Sequence, residues 1–239
     1  MIKNFHLKLL VSRNTDKDSY HEEKEKIYSI SGSKFGAVFG CGGISKSMLW
    51  HILKGNKKQK RFESYASRRG REEEPKAAKF FSDLIGARLY SIGCCVLYKD
   101  SRLCACPDRL FTHPITKLKE GLEIKNPDTT PIPQEVNSKM ISYVFQCILN
   151  MEVFDRDYWN LFYYDRRTGE YSWFRITRNE KFFDTYLHPL VNAFLQSVED
   201  NIPPPDRTDS KEKKKMIELI YSEYPIHLVK YNPPSEIKI

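Results

Sequence analysis

A short segment with two chemically different faces, Gly121-Leu122-Glu123-Ile124-Lys125, constrains this sequence more than any other feature. Side chains alternate across a strand, so Leu122 and Ile124 lie on one face while Glu123 and Lys125 lie on the other. The apolar face can pack in a core, and the polar face places a carboxylate beside an amine. The segment therefore predicts a buried strand with one reactive face.

A second carboxylate, Asp108, follows Pro107 at the end of another predicted strand. A hairpin or a crossing within a sheet can bring it beside Glu123 and Lys125. Carboxylate oxygens bind Mg²⁺, the metal activates water and stabilises charge on a phosphorane, and an amine helps to position the nucleophile. The three residues are therefore candidates for phosphodiester hydrolysis, although a Glu-x-Lys triplet by itself is common by chance.

A helix is predicted over 72–85, ahead of this sheet. Pro75 is tolerated in a first turn, and Gly86 can terminate the helix. Helical spacing puts the apolar stripe that includes Phe81 on one face, with Glu74 at the amino-terminal end of that stripe. A carboxylate at the edge of an apolar stripe is a candidate cation ligand, and a solvated glutamate is the alternative.

The other elements follow from periodicity and from turn residues. The sequence predicts a helix broken by a glycine-rich turn over 34–53, strands near 91–98, 102–106 and 121–125, and a long helix from Pro133 to about Met151. It further predicts an aromatic hairpin over 158–164 and 171–177 and a helix over 180–198 with Pro189 as a kink or boundary. After the break at 203–205, the segment 211–220 is expected to be either a short amphipathic helix or a mobile segment.

The net charge of +8 makes a polyanion a candidate partner, because Lys and Arg gain affinity for phosphates by releasing counterions. A basic segment at 54–71 precedes the predicted helix that carries Glu74. Contact with the DNA backbone is the favoured interpretation of this segment, and a charged, mobile loop is the alternative. No apolar run is long enough to span a bilayer and the first residues do not resemble a signal peptide, so the expected location is intracellular, with no membrane partner.

The six cysteines show no Cys-x-x-Cys spacing, so the sequence favours reduced, partly buried thiols over a zinc site. An iron–sulfur nuclease would need several cysteines late in the chain, and none follows Cys147. The segment 40–47 resembles a phosphate-binding loop, but Ser45 stands where the glycine before lysine is needed. The six histidines are scattered and suggest no catalytic arrangement.

Several motifs occur together in one order. Pro107-Asp108 followed by Glu123-Ile124-Lys125 resembles the signature of restriction-endonuclease-like nucleases. More narrowly, the chain resembles the phage-lambda-type exonucleases, the YqaJ-like viral recombinases, over residues 26–164. The further segments that carry this resemblance are Ser31-Gly32-Ser33-Lys34-Phe35-Gly36, Gly70-Arg71-Glu72-Glu73-Glu74-Pro75-Lys76-Ala77, and Tyr143-Val144-Phe145-Gln146.

The resemblance implies that Asp108, Glu123 and the Ile124 carbonyl bind a catalytic Mg²⁺ or Mn²⁺, and that Lys125 serves the attacking water. It adds Glu74 and Gln146 to the site. From the residues alone, Gln146 more simply satisfies backbone groups within a core.

The resemblance also implies a pocket for a 5′-terminal phosphate. Lys26 stands where the family often has arginine, and Ser33 matches an expected serine. Cys106 replaces a serine and is a poorer donor, and Pro131 stands where another arginine is expected. Basic residues elsewhere in the sequence could replace the missing phosphate donors, and the candidates are Lys139, Arg69 and Arg71.

The expected fold is α/β: a restriction-endonuclease-like core with a central mixed sheet flanked by helices. We expect one nuclease domain over 1–205 and an extension over 206–239. The expected function is 5′→3′ digestion of duplex DNA ends to 5′-phosphorylated nucleotides in phage or viral recombination. The family also suggests a single-strand-annealing partner and a homotrimer. An endonuclease of the same core and a non-catalytic DNA-binding module are the alternatives.

Overall fold

The structure is a computed structural model that describes residues 8–11, 30–56, 65–127 and 131–232. Its strands are β1 (Lys8–Val11), β2 (Ile30–Ser31), β3 (Leu89–Tyr90), β4 (Cys94–Leu97), β5 (Asp100–Ala105), β6 (Arg109–Thr112), β7 (Lys119–Lys125), β8 (Tyr158–Asp165), β9 (Glu170–Thr177) and β10 (Ile226–Asn232). Its helices are α1 (Gly32–Val38), α2 (Lys46–Leu53), α3 (Tyr65–Ile85), α4 (Ile141–Phe154), α5 (Glu180–Phe182), α6 (His188–Glu199) and α7 (Ser210–Glu223), with a 3-10 turn at Ser138–Met140 and a π-helical turn at Phe183–Leu187.

Two sheets organise the described residues. The larger has six strands in the order β10-β9-β8-β7-β6-β3, and the smaller has four in the order β1-β4-β5-β2. In the larger sheet β7 pairs antiparallel with β6 and parallel with β8, so the sheet is mixed. The predicted α/β class with a central mixed sheet is confirmed.

Helix α4 lies at the centre of the main hydrophobic core. Eleven of its fourteen residues are buried, among them Phe145 and Phe154. It packs against β8 and against β4 and β5 of the smaller sheet. An almost wholly apolar helix is stable in water only when both sides are covered, and the two sheets provide that cover.

Helix α3 covers the opposite face of the larger sheet. Ala77 and Phe81 of α3 form a second core cluster with Leu122 and Ile124 of β7 and with Phe162 of β8. The alternation predicted for β7 is therefore confirmed: its apolar face packs against α3, and its polar face is turned toward α4.

Helix α3 begins earlier than predicted, at Tyr65 instead of residue 72. Pro75 consequently lies inside the helix instead of in its first turn, where it removes one backbone donor. Packing against the sheet stabilises the continuous helix, and the Asn126 side-chain amide donates to the carbonyl of Gly70, five residues before the proline, at 3.3 Å. Tertiary contacts have extended a helix that local preferences would start later.

Five strands were not predicted from the sequence: β1, β2, β3, β6 and β10, of which β6 and β10 bear most on the larger sheet. β6 lies within the segment predicted as a long loop, and it is only four residues long. β10 follows α7 and pairs antiparallel with β9, so the carboxyl-terminal segment completes an edge of the larger sheet. Both pairings join segments through the tertiary fold, and short strands give a weak local signal.

Other boundaries differ by smaller amounts. The glycine-rich turn between α1 and α2 occurs as predicted, and Gly42 is required there because a Cβ would approach the Ala37 nitrogen to 2.5 Å. The long helix begins at Ile141, after a 3-10 turn, and not near Pro133. Pro189 lies in the first turn of α6, directly after the π-helical turn, as a boundary residue. The aromatic hairpin of β8 and β9 is confirmed.

Cys94 and Cys106 form a disulfide between β4 and the segment that precedes β6. The expectation of reduced thiols is wrong for this pair, because the tertiary fold brings the two residues together from positions that no sequence spacing marks. Cys41, Cys95, Cys104 and Cys147 are buried and lie outside the disulfide, as expected. Among the described residues no helix is long and apolar enough to cross a membrane.

Candidate active site

Asp108 lies beside the carboxyl-terminal half of β7. β6 begins at Arg109, which pairs with Leu122, and the register places Asp108 opposite Glu123. The Ile124 amide donates to Asp108 Oδ2 at 2.7 Å. Because the N–H and C=O of a strand residue point to the same edge, the Ile124 carbonyl is directed toward Asp108 as well.

Glu123 and Lys125 form an ion pair on the polar face of β7. The Lys125 ammonium donates to Glu123 Oε1 at 2.7 Å, and Glu123 is 3% exposed. Gln146 of α4 joins them: its amide nitrogen donates to Glu123 Oε1 at 2.7 Å, and its amide oxygen accepts from Lys125 at 3.3 Å. Gln146 therefore satisfies side chains of the site and not the backbone groups suggested by the simpler interpretation.

Two residues of α4 complete this cluster without having been assigned a role from the sequence. The Asn150 amide donates to Glu123 Oε2 at 3.4 Å, and the Lys125 ammonium lies 4.4 Å from the centre of the Tyr143 ring. Tyr143, Gln146 and Asn150 are spaced at three and four residues and so share one helix face. Asn150 lies within an otherwise mostly apolar run, and that polar interruption was the available signal.

Glu74 reaches the site from α3 through an arginine that the sequence analysis did not single out. Arg109 Nη1 donates to Glu74 Oε1 at 2.5 Å and to the Asp108 carbonyl at 2.5 Å. The side chains of Arg109 and Glu74 are 12% and 20% exposed. Arg109 thus joins α3 to the segment that carries Asp108.

The pKa values reflect the crowding of these charges. Burial, and then the negative charges of Glu123 and Glu74, raise the pKa of Asp108 well above its ordinary value. Burial alone would lower the pKa of Lys125, but the charges of Glu123 and Asp108 outweigh it and raise this pKa, so the amine is held as an ammonium. The site therefore carries more negative charge than its lysine neutralises around Asp108.

This donor set fits a hard divalent cation. A cation beside Asp108 would relieve the repulsion that raises its pKa, and Asp108, Glu123 and the Ile124 carbonyl are oxygen donors on adjoining stretches of chain. Within the described residues no three His, Cys, Asp or Glu side chains converge closely enough to hold a metal by themselves. Glu74 is directed to Arg109, so the fit depends on two carboxylates and a main-chain carbonyl.

Among the residues predicted for the phosphate pocket, Ser33 lies beside this cluster. A Cβ on Gly32 would lie 3.1 Å from Asn150 Oδ1 and 3.4 Å from Gln146 Cγ. Ser33, which is exposed, therefore lies one residue from the α4 face of the site, with its hydroxyl 3.3 Å from that of Ser31.

Arg69 and Arg71 flank Gly70, whose carbonyl accepts from Asn126, the residue after Lys125. The first turns of α3 therefore lie at the end of the sheet where β7 terminates. Lys139 lies on the exposed turn ahead of α4, four residues before Tyr143. Lys26 and the part of the basic segment at 57–64 lie outside the described residues.

Cys106 cannot act as the predicted thiol donor to a phosphate while it is bonded to Cys94, because a disulfide sulfur has no hydrogen to donate. The bond instead ties Cys106, two residues before Asp108, to β4. The role of Cys106 beside the site is therefore structural.

The motifs, their order and this geometry agree with the comparison to known families. Residues 19–157 match the model of the YqaJ-like viral recombinase domain. The chain belongs to the YqaJ-like viral recombinase domain family. The resemblance inferred from the motifs is thereby confirmed, and with it the assignment to a nuclease class of enzyme at the level of family and fold. No curated protein sequence gives a significant match to this recombinase domain.

Solved structures support the fold of the recombinase domain. It is similar to an alkaline exonuclease (LHK-Exo) from Laribacter hongkongensis, with 20% identity, a TM-score of 0.61, and coverage of 85% of this chain and 100% of that one. It is also similar to LHK-Exo in complex with dAMP, with 20% identity, a TM-score of 0.58, and coverage of 81% and 96%. At this identity the likeness establishes a shared fold.

Proposed function

We propose that this protein is a metal-dependent DNA exonuclease that digests duplex ends in the 5′→3′ direction and releases 5′-phosphorylated nucleotides. The observation that carries the proposal is the hydrogen bond from the Ile124 amide to Asp108 Oδ2. It fixes Asp108 at the edge of β7, beside the buried pair of Glu123 and Lys125. The exonuclease activity named for the structural neighbour LHK-Exo supports the same reaction class.

The metal would be held by Asp108, Glu123 and the Ile124 carbonyl, while Glu74, paired with Arg109, would add its negative charge nearby. When bound, Mg²⁺ or Mn²⁺ would supply an activated water and charge stabilisation at the phosphorus. Lys125, kept protonated by its acidic neighbours, can donate to the water or to a phosphate oxygen. Gln146 holds Glu123 and Lys125 at once and so fixes their relative positions.

End recognition is proposed for the surface around this cluster. Ser33 beside the α4 face, Arg69 and Arg71 at the start of α3, Lys139 ahead of α4, and Lys26 are the candidates for holding a 5′-phosphate. The expected setting is recombination or genome processing in a phage or virus. A single-strand-annealing protein and assembly into a homotrimer are the partners suggested by the family resemblance.

The test compares two lysines of one strand. Linear duplex DNA labelled at either end, with a 5′-phosphate or a 5′-hydroxyl, is incubated with Mg²⁺ or EDTA and wild-type, Lys125→Ala or Lys119→Ala protein. We expect metal-dependent release of mononucleotides from 5′-phosphorylated ends, a loss of at least about a hundredfold for Lys125→Ala, and wild-type activity for the exposed Lys119→Ala.

Other outcomes separate the alternatives. Internal cuts would identify an endonuclease of the same core. Binding without cleavage would leave a DNA-binding module on this fold. Equal activity of the two lysine variants would remove the role assigned to Lys125, and equal digestion of both kinds of end would remove the phosphate pocket.

A further inference from the structure

A shallow cationic pocket lies against α3 on the side of the larger sheet away from α4. Its lining includes Lys79 and Ser82 of α3, Arg88 after the helix, and Arg109 of β6. Arg109 shares the α3 face with its strand partner Leu122, because directly paired residues of neighbouring strands project to the same side. The pocket is therefore separated from the α4 cluster by the main chain at Asp108.

Arg109 connects this pocket to the candidate active site. Within the described part of the chain, both of its hydrogen bonds use Nη1, to Glu74 and to the Asp108 carbonyl. A guanidinium carries five N–H donors in a rigid fork. Nε and Nη2 are therefore available to an acceptor in the pocket while Nη1 remains tied to the site.

Arg88 is held at the rim of the pocket by the end of α3. Gly86 adopts a left-handed conformation with φ of 64°, and the Ser82 hydroxyl donates to the Ala87 carbonyl at 2.6 Å. Arg88 then lies 5.2 Å from the centre of the Tyr90 ring. It is exposed and forms no ion pair with any described residue.

Lys79 adds a second exposed cation. It is paired with Asp83 four residues later, but the two side chains are 77% and 65% exposed. A pair this exposed contributes little and is readily exchanged for another anion. The lining thus offers charged donors from two arginines and a lysine, and the neighbouring carboxylates Asp83 and Glu74 are paired with Lys79 and Arg109.

We propose that this pocket is a subsite for a backbone phosphate of DNA, placed next to the cleavage site through Arg109. The donors are charged and fork-shaped, which suits a phosphodiester, and sequence-independent contacts of this kind position a strand. The inference rests on the proposed function for its substrate, since the strand that reaches Asp108 would extend past Arg109 to Arg88. It assigns Arg88 and Lys79 to binding and not to chemistry.

The test measures binding in the absence of cleavage. Fluorescence anisotropy of a labelled duplex is followed in EDTA over about 50 to 200 mM salt for the wild type, Arg88→Gln and Arg207→Gln. Arg207 is a matched control: it is an exposed arginine without an ion pair among the described residues, and it lies in a different groove between α6 and α7.

We expect Arg88→Gln to weaken binding and to reduce the slope of log K against log salt by about 0.9, the value for one lost phosphate contact. Its deficit relative to the wild type would then shrink about threefold across that salt range. Arg207→Gln should match the wild type. Equal slopes for the two variants, with unchanged melting temperatures, would overturn the subsite. Failure of the proposed nuclease activity would appear separately, as absence of cleavage in Mg²⁺ with these binding differences intact.

Discussion

Strand β7 carries two buried glutamates, Glu120 and Glu123, and they differ in whether a second carboxylate lies beside them. Glu120 is fully buried, accepts from Arg175 at 2.5 Å and from Asn160 at 2.9 Å, and so has a donor on each carboxylate oxygen. Glu123 is equally hidden and also has a donor on each oxygen, from Lys125 and from Asn150, but it faces a second carboxylate, Asp108, whose pKa is raised in part by the charge of Glu123.

The difference separates a structural network from a site built for a ligand. The network around Glu120 pairs its charge with Arg175 and extends through Asn160, which also donates to the Gly121 carbonyl and accepts from Trp173. The cluster around Glu123 concentrates like charges, an arrangement that costs stability and persists where a cation can relieve it. Burial of a carboxylate therefore does not by itself mark a catalytic residue, and the second carboxylate beside Glu123 is the feature that distinguishes it from Glu120.

The largest expected effect is on activity at the Glu123 end. Asp108→Asn keeps the shape of the side chain and an acceptor for the Ile124 amide but removes a metal ligand. We expect nuclease activity to fall by about a thousandfold, equivalent to about 4 kcal/mol. The melting temperature without metal should stay the same or rise, because the repulsion is gone. Retained activity, or a large loss of stability, would show that Asp108 has a structural role like that of Glu120, and would contradict its assignment to a metal site.

The second-largest expected effect is a loss of stability when Glu120 of β7 is changed. Glu120→Gln leaves Arg175 without its buried partner, and we expect a loss of about 3 kcal/mol in the free energy of unfolding. Activity per folded molecule should be unchanged. Chemical denaturation, with Glu218→Gln as an exposed control, measures the free energy of unfolding. Initial rates at low temperature measure the activity per folded molecule. A variant that is stable but inactive would place Glu120 in the catalytic machinery.

The smallest expected effect concerns pH. The pKa of Asp108 is raised in the folded protein, so the folded state binds more protons than the unfolded state above the ordinary value of 3.8. In EDTA the contribution of Asp108 to the free energy of unfolding should therefore fall as pH rises from about 4 to the folded pKa. The difference in stability between the wild type and Asp108→Asn isolates this contribution. A difference that does not vary with pH would contradict the raised pKa.

Local sequence determined the elements whose signal is periodic. The alternation of Gly121 to Lys125 predicted one packed and one polar face, and the structure has both. The aromatic hairpin of β8 and β9 follows in the same way from alternation and from a turn containing Gly169. The order of the family motifs, from Ser33 to Gln146, could also be recognised along the chain, because these residues are brought together by one shared fold.

Tertiary structure alone decided the contacts between distant segments. β6 gives too weak a local signal to be predicted, yet it sets Asp108 opposite Glu123 and brings Arg109 to Glu74. The disulfide of Cys94 with Cys106 and the docking of β10 on β9 likewise depend on partners far along the chain. Pairing energy between strands and between charges is a property of both partners, and a local stretch of sequence contains only one of them at a time.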